Sequence, residues 1–88
     1  MTPEESARYI REIADHWIAL CGTRLLLSNA EFELIRGWRE RDLPLRVVLR
    51  GINDAWASRG KTKPSSLHYC GPAVDRAERY WRAAVAES

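Results

Sequence analysis

Residues 45–56 read Leu-Arg-Val-Val-Leu-Arg-Gly-Ile-Asn-Asp-Ala-Trp. Apolar side chains recur every three or four positions in this stretch, which is the spacing of one face of an α-helix. The apolar face consists of Leu45, Val48, Leu49, Ile52, Ala55 and Trp56. A proline at position 44 and a glycine at position 60 bracket the stretch, so we predict a helix that begins after Pro44 and stops by Gly60.

The N-terminal segment carries the same kind of signal. Thr2 and Glu5 have the spacing of a capping box, and Pro3 stands at the first helical position, where its missing N–H is tolerated. Gly22 is suited to the left-handed conformation that ends many helices. We therefore predict a helix from about Pro3 to Leu20.

Two more helical regions follow from their caps and apolar spacing. Ser28 and Glu31 form a second capping box, which opens a helix that ends near Arg41. The serines at 65–66 cap the last helical region, and Gly71-Pro72 predicts a kink or a break within it. Because no stretch alternates with the period of a strand, we predict an all-α fold, a compact bundle of four helices.

Length and composition fit one small globular domain spanning residues 1–88. The chain has a mass of 10.1 kDa and is 45% hydrophobic and 30% charged, values typical of a single compact core. Its longest apolar run falls far short of the ~20 residues that cross a bilayer, and its first residues are acidic rather than of secretory type. We expect a cytoplasmic protein with reduced thiols and no membrane contact.

Three segments of the chain occur in a recognisable order. Residues 27–38 read LSNAEFELIRGW, residues 43–56 read LPLRVVLRGINDAW, and residues 63–70 read KPSSLHYC. Over about residues 24–81 they resemble the C-terminal helical domain of the bacterial primosome proteins of the DnaD and DnaB type. The resemblance implies binding to single-stranded and duplex DNA, and contacts with other proteins of a larger bacterial assembly.

The resemblance also implies which element binds. In that family the last helix and the tail after it are marked by a tyrosine, an apolar pair and a tryptophan. Tyr69 matches the tyrosine, and Ala73-Val74 match the apolar pair. Ala77 occupies the tryptophan position, and Trp81 follows one turn later.

Positive charge is concentrated between residues 36 and 63. This segment contains eight basic and three acidic residues, although the formal net charge of the chain is only +2. Such a segment can bind the phosphate backbone of DNA or RNA with little sequence dependence and steep salt dependence. The candidate residues on the third helix and the following loop are Arg46, Arg50, Arg59, Lys61 and Lys63. The alternative is that they are solvated side chains with ordinary ion pairs.

The last helix adds Arg76, Arg79 and Tyr80 to the candidate nucleic-acid site. Arginine and exposed aromatic side chains together suit stacking on the bases of a single strand. Trp81 continues the apolar stripe of this helix, which places it in the core or at a subunit contact.

A protein-interaction surface is the competing hypothesis. Four tryptophans among 88 residues are a large aromatic load for one small core. Leu26, Phe32 and Val47 fall outside the inward-facing stripes, and with Trp81 they would form an apolar patch for a protein partner or a second copy. The alternative is that the bundle covers them.

Residues of catalytic or cofactor type do not form a recognisable set. The sequence offers no serine–histidine–aspartate triad, phosphate-binding glycine loop or carboxylate pair, so we expect a non-catalytic module without a cofactor. His16, Cys21, His68 and Cys70 are of metal-ligand type, but their spacings match no zinc module. We interpret both cysteines as small buried hydrophobes, with a zinc site or a disulfide as lesser alternatives.

Overall fold

The computed structural model describes residues 2–22 and 27–87. Within these ranges it contains four α-helices: α1 (Pro3–Cys21), α2 (Asn29–Glu40), α3 (Leu45–Ala57) and α4 (Gly71–Glu87). A short 3-10 segment, Leu67–Cys70, directly precedes α4. The same residues contain no strand, which confirms the predicted all-α bundle.

The predicted caps hold the starts of α1 and α2. The Thr2 hydroxyl accepts a hydrogen bond from the Glu5 N–H at 3.2 Å. The Ser28 hydroxyl accepts from the Glu31 N–H at 3.2 Å, and the Glu31 carboxylate accepts from the Ser28 N–H at 3.0 Å, which completes the capping box. At the end of α1, Gly22 adopts a φ of 70°, a conformation that costs glycine little.

The last helical region is divided where the sequence predicts it. The Ser66 hydroxyl accepts from the His68 N–H at 3.2 Å and starts the 3-10 segment. The chain then enters α4 at Gly71, so Pro72 is the second residue of that helix. A proline is tolerated in a first turn because the N–H it lacks would have no partner within the helix.

The core draws side chains from every helix and from the 3-10 segment. Its largest fully buried members are Trp38, Ile13, Ile35, Leu43, Ile52, Leu67, Val48, Val74 and Cys70. The helices α3 and α4 approach closely at Gly51, where an added Cβ would lie only 2.5 Å from the Val74 Cα. Glycine at position 51 therefore allows the two backbones to touch.

Polar groups inside the core are paired. The Tyr9 hydroxyl donates to the Leu43 carbonyl at 2.9 Å, which fixes α1 against the connection between α2 and α3. Every buried side-chain nitrogen and oxygen in the described residues has a hydrogen-bond partner. None of the helices in residues 2–22 and 27–87 has the length and apolar character needed to cross a bilayer.

Candidate nucleic-acid interface

An open groove of about 360 Å³ lies between the first half of α3 and the second half of α4. We call it the α3–α4 groove. Its lining residues are Arg46, Val47, Arg50, Ala77, Tyr80, Trp81 and Ala84.

The groove follows from the way these two helices cross. Packed helices touch at a crossing point and diverge on either side of it, and the contact of Gly51 with Val74 marks that point. Beyond the crossing, α4 presents the small side chains Ala77 and Ala84, which leave the space between the helices unfilled. The groove is therefore explained by a glycine where α3 and α4 cross and by two alanines of α4 beyond the crossing.

The two arginines of the groove have no acidic partner. Arg46 and Arg50 are exposed and four positions apart, so they lie one turn from each other on α3. No carboxylate among the described residues forms an ion pair with either of them, and the groove lining contains no acidic side chain. The positive charge of the groove is therefore uncompensated at short range.

Other arginines of the basic segment are neutralised. Arg36 pairs with Glu33 of its own helix at 2.7 Å, whereas Arg41 reaches across to α4 and pairs with Asp75 and Glu78 at 3.1 and 2.9 Å. These pairs show that only part of the predicted positive charge is available to a ligand.

The carboxylate of Glu78 is held ionised by its partners. Burial acts to raise its pKa, but hydrogen bonds and charge from Arg82 and Arg41 outweigh burial and lower the pKa below the ordinary value. Arg82 also donates to the Arg41 carbonyl at 3.1 Å. This acidic side chain of α4 is thereby neutralised locally by two arginines.

Aromatic and apolar side chains complete the groove. Tyr80 is 67% exposed, while Trp81 is half-buried and packs against the core. Val47 is only 6% exposed, which corrects the prediction of an uncovered apolar patch at this position. It lies one turn before Gly51, where α4 packs over α3, so it lines the groove between the two helices instead.

Two further candidates line a different cavity. Arg59 and Lys63 border a pocket of about 470 Å³, which we call the loop pocket, with Cys21, Trp56, Thr62, Pro64 and Ser65. The exposed side chains of Lys61, Arg76 and Arg79 line neither cavity. The structure thus brings Arg46, Arg50 and Tyr80 together and places Arg59 and Lys63 elsewhere.

The candidate interface residues are likewise separated. Phe32 is half-buried and lines an apolar groove of about 500 Å³ between α1 and α2, together with Ile10, Ile18 and Leu27. Leu26 lies outside the described residues. Trp81, by contrast, belongs to the α3–α4 groove.

Both thiols are free. Cys70 is fully buried, and burial raises its pKa to about 12. Burial and, to a smaller extent, the charge of Glu31 raise the pKa of the partly exposed Cys21. Neither thiol is therefore activated as a nucleophile. Histidines, cysteines and carboxylates of the described residues form no cluster of three or more that could hold a metal ion.

A comparison with protein families gives a match over most of the chain. The sequence model of a family described as "uncharacterised protein" matches residues 6–88, which include most of α1 and the whole of the other helices. The chain belongs to this family. No curated protein and no solved structure matches it.

In this member of the family, two features of the candidate sites were not predicted from the sequence. The first is the role of Ala77 and Ala84, whose seven-residue spacing on one face of α4 was the available signal. The second is the stacking of Arg59 on Trp56, with the guanidinium carbon 3.8 Å from the ring centre. The sequence signal for this stacking was the spacing of three positions between Trp56, near a helix end, and the basic residue Arg59.

Proposed function

We propose that this domain is a non-catalytic binding module that holds a nucleic-acid strand in the α3–α4 groove. The observation that carries the proposal is the pair Arg46 and Arg50, which are exposed, one turn apart and without an ion pair among the described residues. Each phosphate that such an arginine neutralises releases counterions, and this release favours binding at low salt.

Tyr80 gives the groove a second means of holding a strand. Its ring is largely exposed beside the two arginines, and a base stacked on an aromatic side chain contributes about 1–3 kcal/mol. Unpaired bases offer their faces for stacking, which supports single strands as the better ligand. The groove lining consists of arginine, aromatic and small apolar side chains, a set suited to holding a strand.

The resemblance to the DnaD and DnaB-type proteins supports the same proposal. It implies DNA binding that involves the last helix, and α4 supplies Tyr80 and Trp81 to the groove. On this proposal the domain works in the bacterial cytoplasm as one part of a larger assembly. Arg76 and Arg79, which are exposed on the same helix, would extend contact to the strand outside the groove.

The test measures the binding of fluorescent single-stranded and duplex oligonucleotides by fluorescence anisotropy. The titrations begin at ~50 mM salt, where contacts with the phosphate backbone are strongest, and are repeated at higher salt concentrations. The double variant Arg46→Gln/Arg50→Gln should weaken binding at least about tenfold, because charge-assisted contacts are lost. It should also make the slope of log K against log salt shallower by about 1.4 for a single strand, which is about 0.7 per lost phosphate contact.

A matched control separates the groove from the overall charge. The double variant Arg11→Gln/Arg36→Gln removes the same formal charge at the α1–α2 groove, where Arg36 is paired with Glu33 and Arg11 forms no ion pair with a described residue. It should leave affinity within about twofold, since screened long-range charge contributes little. Equal weakening by both double variants would contradict a site in the α3–α4 groove. Failure of the wild-type protein to bind either oligonucleotide would overturn the proposed function.

A second candidate function is protein–protein interaction or self-association without nucleic-acid contact. The apolar α1–α2 groove supports it, because Phe32, Ile10 and Ile18 leave part of their surface exposed in one cavity. Sedimentation of the wild-type protein and of Phe32→Asp over a range of concentrations tests self-association. A concentration-dependent dimer that is lost in Phe32→Asp would support it, and a monomer throughout would contradict it.

A further inference from the structure

The loop pocket lies at the opposite end of α3 from Arg46. It is an open pocket bordered by the last residue of α1, by Trp56 near the end of α3 and by part of the loop that leads to the 3-10 segment. Its volume of about 470 Å³ lies within the range of about 300–1,000 Å³ that is usual for small-molecule sites.

The basic side chains around this pocket have no acidic partner among the described residues. They are Arg59 and Lys63, and the lining contains no acidic side chain. The hydroxyls of Thr62 and Ser65 make no hydrogen bond to another described residue. Two cations and two hydroxyl donors around one cavity form a suitable environment for a phosphate group.

The most important of these donors is held in place before any ligand arrives. The Arg59 guanidinium stacks on Trp56 at 3.8 Å from the ring centre and donates one hydrogen bond to the Trp56 carbonyl at 2.6 Å. Trp56 in turn meets the edge of Trp17, with ring centres 5.8 Å apart and planes at 90°. A guanidinium has five N–H donors, so most of them are not used by the Trp56 carbonyl.

A backbone turn after Arg59 reverses the chain before the other donors of the pocket. Gly60 has a φ of 61°, and the Thr62 N–H donates to the Arg59 carbonyl at 3.0 Å, which closes a turn. Thr62 and Lys63 thereby line the same pocket as Arg59. Such preorganisation lowers the entropy that a ligand loses when it binds.

We infer that the loop pocket is a separate binding site for a terminal phosphate group, such as that of a nucleoside monophosphate or of the 5′ end of a strand. Arg59 and Lys63 supply charge to the phosphate, Thr62 and Ser65 donate hydrogen bonds, and Trp56 and Pro64 offer apolar surface to the attached group. The inference does not depend on nucleic-acid binding in the α3–α4 groove.

Cys21 gives a direct readout, because it lines the pocket and is partly exposed, whereas Cys70 is fully buried. The rate of Cys21 alkylation by iodoacetamide is followed by peptide mass spectrometry in the presence of three probes: inorganic phosphate, adenosine 5′-monophosphate and adenosine. The nucleotide should slow alkylation several-fold at saturation, inorganic phosphate should compete with it, and adenosine should have no effect. Equal protection by adenosine and its monophosphate, or protection by neither the nucleotide nor an oligonucleotide with a 5′-phosphate, would overturn the inference.

Two lysines of the same loop provide matched variants. Lys63→Gln should raise the nucleotide concentration for half-protection about tenfold, because a charged hydrogen-bond donor is lost. Lys61→Gln removes the same charge from a residue outside the pocket lining and should leave that concentration nearly unchanged. Equal effects of the two variants would contradict a phosphate site at Lys63.

The source of the phosphate is distinguished with short oligonucleotides that carry either a 5′-phosphate or a 5′-hydroxyl. Protection by the phosphorylated oligonucleotide alone assigns the pocket to strand ends, and protection by the mononucleotide alone assigns it to a free ligand. Both results uphold terminal-phosphate recognition. In the double variant Arg46→Gln/Arg50→Gln, adenosine 5′-monophosphate should protect Cys21 from alkylation as it does in the wild type. Loss of this protection in the double variant would contradict the independence of the two sites.

Discussion

The Glu31 carboxylate accepts a hydrogen bond from the Leu67 N–H at 2.9 Å, across 36 positions of sequence. The same carboxylate accepts from the N–H and the hydroxyl of Ser28, each at 3.0 Å. One buried side chain therefore caps α2 and also satisfies the first N–H of the 3-10 segment that leads into α4. This contact joins the two halves of the chain.

Replacement of Glu31 should be costly. Glu31→Ala leaves the Leu67 N–H buried without an acceptor and removes half of the capping box, which predicts a loss of about 2–3 kcal/mol in the free energy of unfolding. Chemical denaturation of the wild type and of Glu31→Ala at neutral pH measures this loss in the free energy of unfolding. Glu33→Gln, which alters an exposed ion pair with Arg36, is the control and should change stability by less than about 1 kcal/mol.

The stabilisation by Glu31 should depend on pH in the acid range. Burial acts to raise its pKa, but the hydrogen bonds from Leu67 and Ser28 outweigh burial and lower the pKa below 4.5. A carboxyl group with a lowered pKa stabilises the folded state above its unfolded pKa, and this contribution is lost as the pH falls through the folded pKa. Denaturation between pH 7 and pH 3 should therefore show a steeper acid loss in wild type than in Glu31→Gln, and parallel curves would contradict this role.

The contact of Gly51 with Val74 should tolerate no side chain at position 51. Gly51→Ala would place a Cβ 2.5 Å from the Val74 Cα, so α3 and α4 must separate. We expect a destabilisation of about 1–3 kcal/mol or more, the cost of overpacking a core. Gly37→Ala is the matched control: position 37 lies within α2, and its added Cβ meets no atom within 4 Å. It should stabilise the protein by about 0.5–1 kcal/mol, and a similar loss in both variants would contradict the close approach.

The buried tyrosine predicts a loss of stability in alkali. Burial raises the pKa of Tyr9 to about 12 from an ordinary value of 10.0, although the charges of Arg41 and Arg39 act in the opposite direction. Because the folded pKa is raised, the contribution is complete below pH 10 and is lost as the pH rises towards 12. Tyr9→Phe should cost about 1–2 kcal/mol at neutral pH, since the Leu43 carbonyl loses its donor, and should flatten the decline above pH 10. An unchanged alkaline profile would show that Tyr9 does not titrate in this way.

Tyr80 should matter for single strands more than for duplexes. Tyr80→Ala removes the exposed ring of the α3–α4 groove and should weaken binding of a single strand about fivefold to a hundredfold, the effect of losing one stacked base. Duplex binding should change little, because paired bases are not available for stacking. Tyr69→Ala removes the tyrosine that the family resemblance implicates, which is 39% exposed and outside the groove lining, and it is the comparison variant in the same anisotropy assay. Equal effects at positions 69 and 80 would exclude Tyr80 as the specific stacking residue.

Local signals predicted the helices well. The caps at Thr2 and Ser28 involve side chains and backbone groups three positions apart, so their spacing is visible in the sequence. The same holds for Gly71-Pro72, because the steric demands of proline act on its own turn of helix. Each of these features depends on neighbours within four residues.

The candidate site was less predictable, because it depends on contacts between distant segments. Arg41 forms ion pairs with Asp75 and Glu78, which lie 34 and 37 positions further along the chain. Arg46 and Arg50 have no carboxylate partner among the described residues. Nothing in the local sequence distinguishes the paired arginine from the two unpaired ones. Val47 was misassigned because α3 is covered by α4 in addition to the main core, so the buried surface is wider than one apolar stripe.

Binding of a strand between α3 and α4 is tested by locating the nucleic-acid contacts on the protein surface. Titration of the ¹⁵N-labelled protein with a short single-stranded oligonucleotide, followed by amide chemical shifts, maps that location. The largest shifts should occur near Arg46, Arg50 and Tyr80, with small changes around Phe32 on the α1–α2 groove. Shifts concentrated around Phe32, or no shifts at low salt, would contradict a strand held between α3 and α4.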